Sequence, residues 1–542
     1  MNSDTSRKVS HCQHAISSTN GNGEHSRNSV DDLASSQASC QHSRVAKRPL
    51  RVMKFGGTSV GDTSCISRVA DIIRTSLRDS DLIIVVSAMG GVTNKLLEAA
   101  SQAEIGDEDA VAEILKQLRQ QHDLALKGVL QSEEEQRSIA RNMANLFEEG
   151  DRLCKGTSLL KELTLRARDA ISSLGERLSI LLVAAALRER GVAAQAIEAT
   201  DLIVTNSSHG AADPCLDLTR KSCEARLFPL LQSQGVPVVT GFIGATTEGV
   251  LTTLGRGGSD YSATILGAAL GASEIVIWTD VDGLLTADPR LVRDACTISE
   301  ISYREAADLA YFGAKVLHPK TLRPVVPLGI PLWIRNSFSP DKPGTKITPH
   351  GASNGSDVTA LTVVSDAALI TIGGPAIASV LDALSRTLAI VRELRADVLL
   401  ISQSSSHNDI CLVVPSSIAK RMVEELRREF AQNLVRDQVE HIHLDSSVAL
   451  VSVVGKKISG MGGIIGRTFG ALGRANVDTI AIAHGSSQCN LSFVVGKKDV
   501  HSALVAIHRE FGLSNESSGA SSEILGSRPI TYQSELLSGS AD

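Results

Sequence analysis

Six short stretches of this chain carry residue types that could do chemistry on a phosphate. KFGGTSVG (54–61) places Lys54 just before the pair Gly56-Gly57 at the end of an apolar run. Paired glycines let backbone N–H groups approach an anion closely, and the lysine adds a point charge. GRGGSDYSA (255–263) surrounds Arg256 with glycines, and Ser259 and Asp260 are expected as N-cap residues of the helical run that follows. A glycine nest, a helix N-terminus and an arginine together make an anion site. TDVDGLLTADPR (279–290) closes a strand with Thr279, Asp280 and Asp282, turns at Gly283, and adds Asp288 and Arg290. Carboxylates beside a phosphate site suit magnesium, which takes one or two of them plus substrate oxygens. LGERLS (174–179) is expected to open a helix, with Glu176 placed where a negative charge suits the dipole. SAMGGVTN (87–94) offers a glycine turn with the hydroxyls of Ser87 and Thr93, and FGAKVLHP (312–319) sets Lys315 before a proline stop. Taken singly, each has a plain structural reading as a surface lysine, a capped loop, a D-G turn or a helix cap. The Walker A pattern G-x-x-x-x-G-K-[ST] occurs nowhere in the chain.

The elements that must position these residues alternate in type. Short β-branched runs (LRVMKFGG, DLIIVVSAMGG, VPVVTGFIGAT, SEIVIWTDVDG) are separated by amphipathic segments such as 66–78, 109–128 and 176–190. That texture predicts an α/β fold with a mostly parallel sheet covered on both faces. Ligands of such sheets sit at the carboxyl ends of the strands. The glycine turns at 56–57, 90–91, 241–244 and 280–283 fall at those ends, which predicts one site spread across several strand tips.

Length and charge narrow the function classes. The chain has 542 residues, enough for roughly three domains. With 54 Lys+Arg against 60 Asp+Glu its net charge is −6, which argues against a nucleic-acid partner. The longest apolar run, near 180–187, falls well short of the ~20 residues that cross a bilayer, so no membrane span is expected. Nine scattered cysteines without a C-x-x-C indicate neither a disulfide framework nor a zinc site. A reducing, cytoplasmic setting follows. Residues 1–49 are Ser-, Asn- and Gln-rich and are read as a disordered extension. Asp4, Glu24, Asp31 and Asp32 speak against a transit peptide; if it is one, the location becomes the plastid.

The proline- and glycine-rich stretch 339–365 is expected to be a linker after a catalytic domain at 50–338. Beyond it lies an internal repeat with an offset of 81 residues: 368–414 aligns with 449–495 without a gap, at 12 identities in 47 positions. Two copies of one βαββαβ, ferredoxin-like module explain it, at 366–436 and 446–515, with a flexible tail at 516–542.

In combination the six stretches are far more specific than any of them alone. Their order and spacing resemble those of the aspartate kinase family, of the amino-acid-kinase fold, over essentially residues 50–515. The repeated modules look like the paired ACT domains that bind an amino-acid effector in that family. The resemblance implies a three-layer α/β/α catalytic domain and ATP-dependent phosphorylation of L-aspartate to 4-phospho-L-aspartate, the first step toward lysine, threonine and methionine. It implies ATP with Mg2+ bound mainly through the nucleotide, and a homodimer or larger homo-oligomer.

By motif matching, Lys54 would stabilise the transferring phosphoryl group with the N–H groups of Gly56 and Gly57, Arg256 would hold a substrate carboxylate, and Glu176 would pair with the α-ammonium. Ser87 and Thr93 would line the aspartate side. Ser259, Asp260, Thr279, Asp280 and Lys315 would face nucleotide and metal, while Asp288 and Arg290 close over the nucleotide. Leu285 stands where the family often has an aromatic residue. Effector contacts would fall on Gln403 and Asp397 of the first module and on Asp478, His484 and Gln488 of the second. Gln403 keeps a glutamine of threonine-sensitive relatives and His484 departs from it, so threonine is the expected effector and lysine the alternative.

Three rival readings have distinct signatures. Gly460, Gly462 and Gly466 imitate a dinucleotide loop, but the repeat explains them as a module feature. Some aspartate kinases are fused to a homoserine dehydrogenase, which is not expected in this chain, whose residues end at Asp542. A kinase of another amino acid such as glutamate would keep the fold and change the substrate. A non-catalytic amino-acid sensor would need broken motifs, and none of the six is broken.

Overall fold

The computed structural model describes residues 48–514 except 314–315, 353–356, 375–379, 404–408, 437, 457, 459–461 and 485–488. The first part of the chain forms β1 (Leu50–Phe55), β2 (Asp81–Val86), β3 (Ala194–Ile197), β4 (Val204–Thr205), β5 (Val236–Thr240), β6 (Ile243–Thr246), β7 (Leu251–Thr253), β8 (Glu274–Thr279), β9 (Glu300–Ser302), β10 (Leu332–Asn336) and β11 (Thr345–Thr348). Eight of these make one sheet in the order β3-β5-β2-β1-β8-β10-β11-β9, parallel throughout except where β10 meets β11. A small sheet, β4-β6-β7, stands apart from it.

Alternation along the central strands decides which layer each side chain joins. Met53 and Phe55 pack with α1 (Thr63–Ser76), α2 (Val92–Ile105), α3 (Glu108–Val129), α4 (Glu133–Leu160) and α5 (Leu165–Glu189). Val52 faces the opposite way, toward α6 (Leu216–Gln232), α7 (Gly258–Leu270), α8 (Tyr303–Tyr311) and α9 (Pro319–Leu322). The result is the expected three-layer α/β/α arrangement. Among the described residues α5 is the one helix long and apolar enough to cross a membrane; here most of it is buried in the helical layer.

The rest of the chain forms β12 (Val358–Val364), β13 (Ala367–Gly373), α10 (Val380–Glu393), β14 (Leu400–Gln403), β15 (Ile410–Pro415), α11 (Ser416–Glu429), α12 (Ala431–Val435) and β16 (His441–Asp445), then β17 (Val448–Gly455), α13 (Gly462–Arg474), β18 (Ala481–Ala483), β19 (Asn490–Gly496) and α14 (Val500–Glu510). Two antiparallel sheets result, β14-β15-β13-β16 and β12-β17-β19-β18. The duplication extends to side-chain clasps. Arg386 binds Glu429 at 2.7 Å and lies over Phe430, and their counterparts 81 residues on, Arg467, Glu510 and Phe511, repeat the arrangement at 2.9 Å. The helix at Gly462 follows β17 inside this module, as the repeat requires.

The stretch 339–365 is not a linker. It contributes β11 to the catalytic sheet and β12 to the second module's sheet, where β12 pairs with β17. Gly344 and Gly351 serve turns there: Gly344 sits at φ +76°, where a Cβ would run into the carbonyl of Ile334, and Gly351 sits at φ +66°. Module boundaries shift accordingly. β16, the fourth strand of the first module, lies beyond the expected limit at 436, and β12 takes the same place in the second sheet although it precedes both modules in the chain.

Candidate active site

Four neighbouring parallel strands end level with one another. Phe55 is in register with Val86 and with Trp278, and Val86 with Thr240. The first N–H beyond each strand is used up by the next: Ser87 donates to Phe55, Gly56 to Trp278 and Gly241 to Val86. The Gly56 N–H is therefore committed to the sheet and is not the phosphate donor expected of it. Gly57 N–H has no protein acceptor among the described residues. A Cβ at position 57 would come to 3.0 Å from the carbonyl of Ala88, a tight contact that glycine avoids.

Lys54, 8% exposed, turns toward α7, and its ammonium lies 2.5 Å from the carboxylate of Asp260. α7 begins one turn earlier than its sequence suggests: Gly257, at φ +71°, is the N-cap, so Ser259 and Asp260 lie within the first turn rather than capping it. Ser259 is packed tightly against Gly241, where a Cβ would approach within 2.6 Å. No protein acceptor takes the N–H of Ser259 or Asp260 among the described residues, as befits the first turn of a helix.

Glu176 does not open a helix either. It stands in the middle of α5, whose N-cap is Thr164, so the dipole reading fails. The preceding Gly175 serves packing, since a Cβ there would lie 2.6 Å from that of Ala88. This close approach buries Glu176 to 3% exposure against the β2–α2 turn. Burial pushes its pKa up to about 8, against the opposing pull of the Ala88 N–H, its own N–H and the charge of Lys54. One carboxyl oxygen, Oε2, has no hydrogen-bond partner. A buried carboxyl with an unpaired oxygen next to a lysine is fitted to receive a ligand cation.

Arg256 stands exposed on the turn between β7 and α7. Its flanking glycines are both left-handed, and each is pressed by a neighbour: Gly255 by the carbonyl of Gly210, Gly257 by His318. A group missed in the sequence builds this wall. Asp169, 2% exposed, accepts from Gly210 N–H at 3.1 Å, from the Thr253 hydroxyl at 2.5 Å and contacts His209 Nδ1 at 2.8 Å. It lies seven residues before Glu176, two turns along the same face of α5, which is the signal that could have found it. Ser87 and Thr93 are half-buried, Ser87 at the tip of β2 and Thr93 in the first turn of α2, whose N-cap Gly91 sits at φ +80°.

On the side of β8, the Thr279 hydroxyl donates to exposed Asp280 at 3.1 Å. Asp282 is engaged elsewhere, accepting from Asn336 at 2.7 Å and Lys342 at 2.6 Å, and those bonds hold its carboxyl below the usual range. Asp288 and Arg290 form an ion pair at 2.6 Å. Lys315 lies outside the described residues. Its neighbour in the same motif, His318, caps α9 and is held neutral-leaning by burial and by the charges of Lys320, Arg256 and Arg323.

Of the effector residues, Gln403 ends β14 and is exposed, as are Asp397, Asp478 and His484. β14 and β18 lie side by side, with Ser402 Oγ 3.4 Å from the carbonyl of Ile482. Gln488 lies outside the described residues.

Comparison with known proteins agrees with this geometry. The amino acid kinase family model matches residues 49–336, and an ACT domain model matches 451–511. Aspartokinase 1, chloroplastic, of Arabidopsis thaliana is 32% identical over 464 residues, covering 85% of this chain and 80% of its own. The bifunctional aspartokinase/homoserine dehydrogenase 2, chloroplastic, of the same plant is 32% identical over 469 residues, but the chain spans only 51% of its length, about half. Among solved structures, E. coli aspartokinase III in complex with aspartate and ADP (R-state) superposes with a TM-score of 0.72 at 31% identity, over 85% of this chain and 100% of that one. The same enzyme in complex with lysine and aspartate (T-state) gives 0.72 again. An α/β/α sheet with charged groups gathered at its strand tips, followed by an ACT domain, places the chain in the amino acid kinase family. The chain belongs to the aspartokinase family.

Proposed function

We propose that this protein transfers the terminal phosphoryl group of ATP to the side-chain carboxylate of L-aspartate, giving ADP and 4-phospho-L-aspartate. The observation that carries the reading is the cluster of Lys54, Asp260 and buried Glu176 at the level tips of four parallel strands. The acceptor carboxylate, with a free pKa of about 3.9, is already ionised at neutral pH, so its attack needs no general base. What the protein must do is hold two anions in line and offset their charge.

Lys54, with the Gly57 N–H, stabilises the phosphoryl group in flight. The aspartate ammonium pairs with Glu176 and its α-carboxylate with Arg256, while Ser87 and Thr93 line the same pocket. The first turn of α7, through Ser259 and Asp260, faces the phosphates, with Thr279 beside it; Lys315, outside the described residues, is assigned to the nucleotide by its motif alone. Asp288 and Arg290 close over the nucleotide. Asp280, exposed and unencumbered by lysine, fits the single carboxylate that a phosphate-held magnesium ion needs; bound there, magnesium would neutralise part of the triphosphate charge.

The ACT modules bind an amino acid that restrains the reaction, threonine on the strength of Gln403, and they join chains into a homodimer or larger assembly. The lysine complex of the E. coli relative makes lysine the second effector to test. The deciding assay traps the acyl phosphate with hydroxylamine after incubation with ATP and aspartate, with glutamate in parallel and lysine, threonine and methionine added separately. Aspartate-dependent hydroxamate is the expected result; hydroxamate from glutamate alone, or none, refutes the reading.

A further inference from the structure

β12, the strand that the sequence presented as linker, touches both loops of the nucleotide side. One of its edges pairs with β17, and from the strand Leu361 N–H donates to the carbonyl of Thr286 at 2.8 Å. The Thr286 hydroxyl lies 3.0 Å from His508 Nε2 on α14 and accepts from Cys296 N–H at 3.0 Å. Two residues further on is Asp288, paired with Arg290. Ala287 and Val292, which bracket that pair, are buried in one apolar cluster with Val358, Leu361, Ile507 and Phe511 of the second module. The loop carrying Asp288 and Arg290 therefore has its underside in the ACT module. On its other flank, the Thr362 hydroxyl donates to the carbonyl of Phe312 at 2.9 Å, where α8 ends.

We propose that β12, together with His508, is the positioning element of the nucleotide side: the second ACT module's own sheet holds the Asp288–Arg290 loop in register. The inference rests on the phosphotransfer reading above and deepens it, because it separates the two substrates. The aspartate wall is carried by α5 and by the β7–α7 turn, which are fastened to one another through Asp169 and Thr253 within the catalytic domain. The nucleotide wall is fastened to a regulatory sheet. Any displacement of that sheet changes nucleotide affinity first.

Thr362→Val keeps volume and β-branching and removes only the hydroxyl; His508→Phe keeps a buried ring and removes the bond to Thr286. Each variant is expected to raise the KM for ATP, and the Kd for MgADP measured by titration calorimetry, by about three- to tenfold. The KM for aspartate and kcat should stay within about twofold, since neither bond reaches the aspartate wall. Unchanged MgADP affinity in both variants overturns the proposal, and so does a rise in aspartate KM equal to that for ATP. A wild-type protein that binds MgADP but makes no hydroxamate from aspartate refutes the proposed reaction instead, and the calorimetric comparison of the variants still decides the positioning role.

Discussion

The ammonium of Lys54 lies 2.5 Å from the carboxylate of Asp260, so a single ion pair fastens the tip of β1 to the first turn of α7. Both side chains are nearly buried, at 10% and 13% exposure, which leaves the lysine fixed in direction and shielded from bulk water. A charge so placed acts on a developing anion without reorganising. Lys54→Ala is accordingly expected to lower kcat by at least ~10²-fold. Steady-state kinetics check this, and near-normal turnover would remove Lys54 from the mechanism.

Glu176 links substrate binding to protons. Its folded pKa of about 8 stands above the ordinary 4.5, so the free protein holds a proton there at pH 7. The sign follows: this group's contribution to stability is complete below about 4.5 and is lost as pH rises through about 8. Arrival of the aspartate ammonium should ionise it. Aspartate binding at pH 7 is therefore expected to release close to one proton, read as a dependence of calorimetric enthalpy on buffer ionisation enthalpy. Glu176→Gln should abolish that dependence and raise the aspartate KM; a change confined to the ATP KM would show that the ammonium pairs elsewhere.

Asp169 ties α5 to the turn at Gly210 and to β7 from inside. Asp169→Ala leaves the buried Thr253 hydroxyl and the half-buried Gly210 N–H without their acceptor, which costs about 1–3 kcal/mol in urea unfolding. Thr253→Val on top of it should add little, because the shared bond is already gone. Additive losses would mean that the two residues act separately.

Gln403, exposed at the end of β14, is available to an effector. Gln403→Ala is expected to weaken inhibition by threonine, measured as the concentration that halves the rate, while sparing kcat. Identical inhibition curves would move the effector site elsewhere.

Much of this was legible in the chain because it is local. A β-branched apolar run followed by a glycine-containing turn reads as a buried parallel strand and its carboxyl-end turn; β1, β5 and β8 end where those turns begin, and β2 ends four residues before Gly90. The 81-residue offset gave two modules, down to the paired Arg–Glu–Phe clasps. What misled was glycine and proline, whose meaning depends on surroundings absent from a local reading. The stretch 174–179 resembles a helix start but lies inside α5, where Gly175 allows close approach to Ala88. Gly344 resembles a linker residue but turns the chain from β10 into β11.

The order of residues by itself determined the fold class, the duplication, and the placing of Lys54 and Asp280 near strand tips, since all of these follow from periodicity and from short-range turn chemistry. Tertiary structure alone decided that Glu176 is desolvated, with its pKa pushed up, that the Gly56 N–H is spent on the sheet, and that β12 belongs to the second module. The bonds that join Asp169 to Thr253 and Thr286 to His508 span 84 and 222 residues of chain. Which polar groups are buried, paired or left over depends on segments that meet only when the chain is packed, and no local pattern records that meeting.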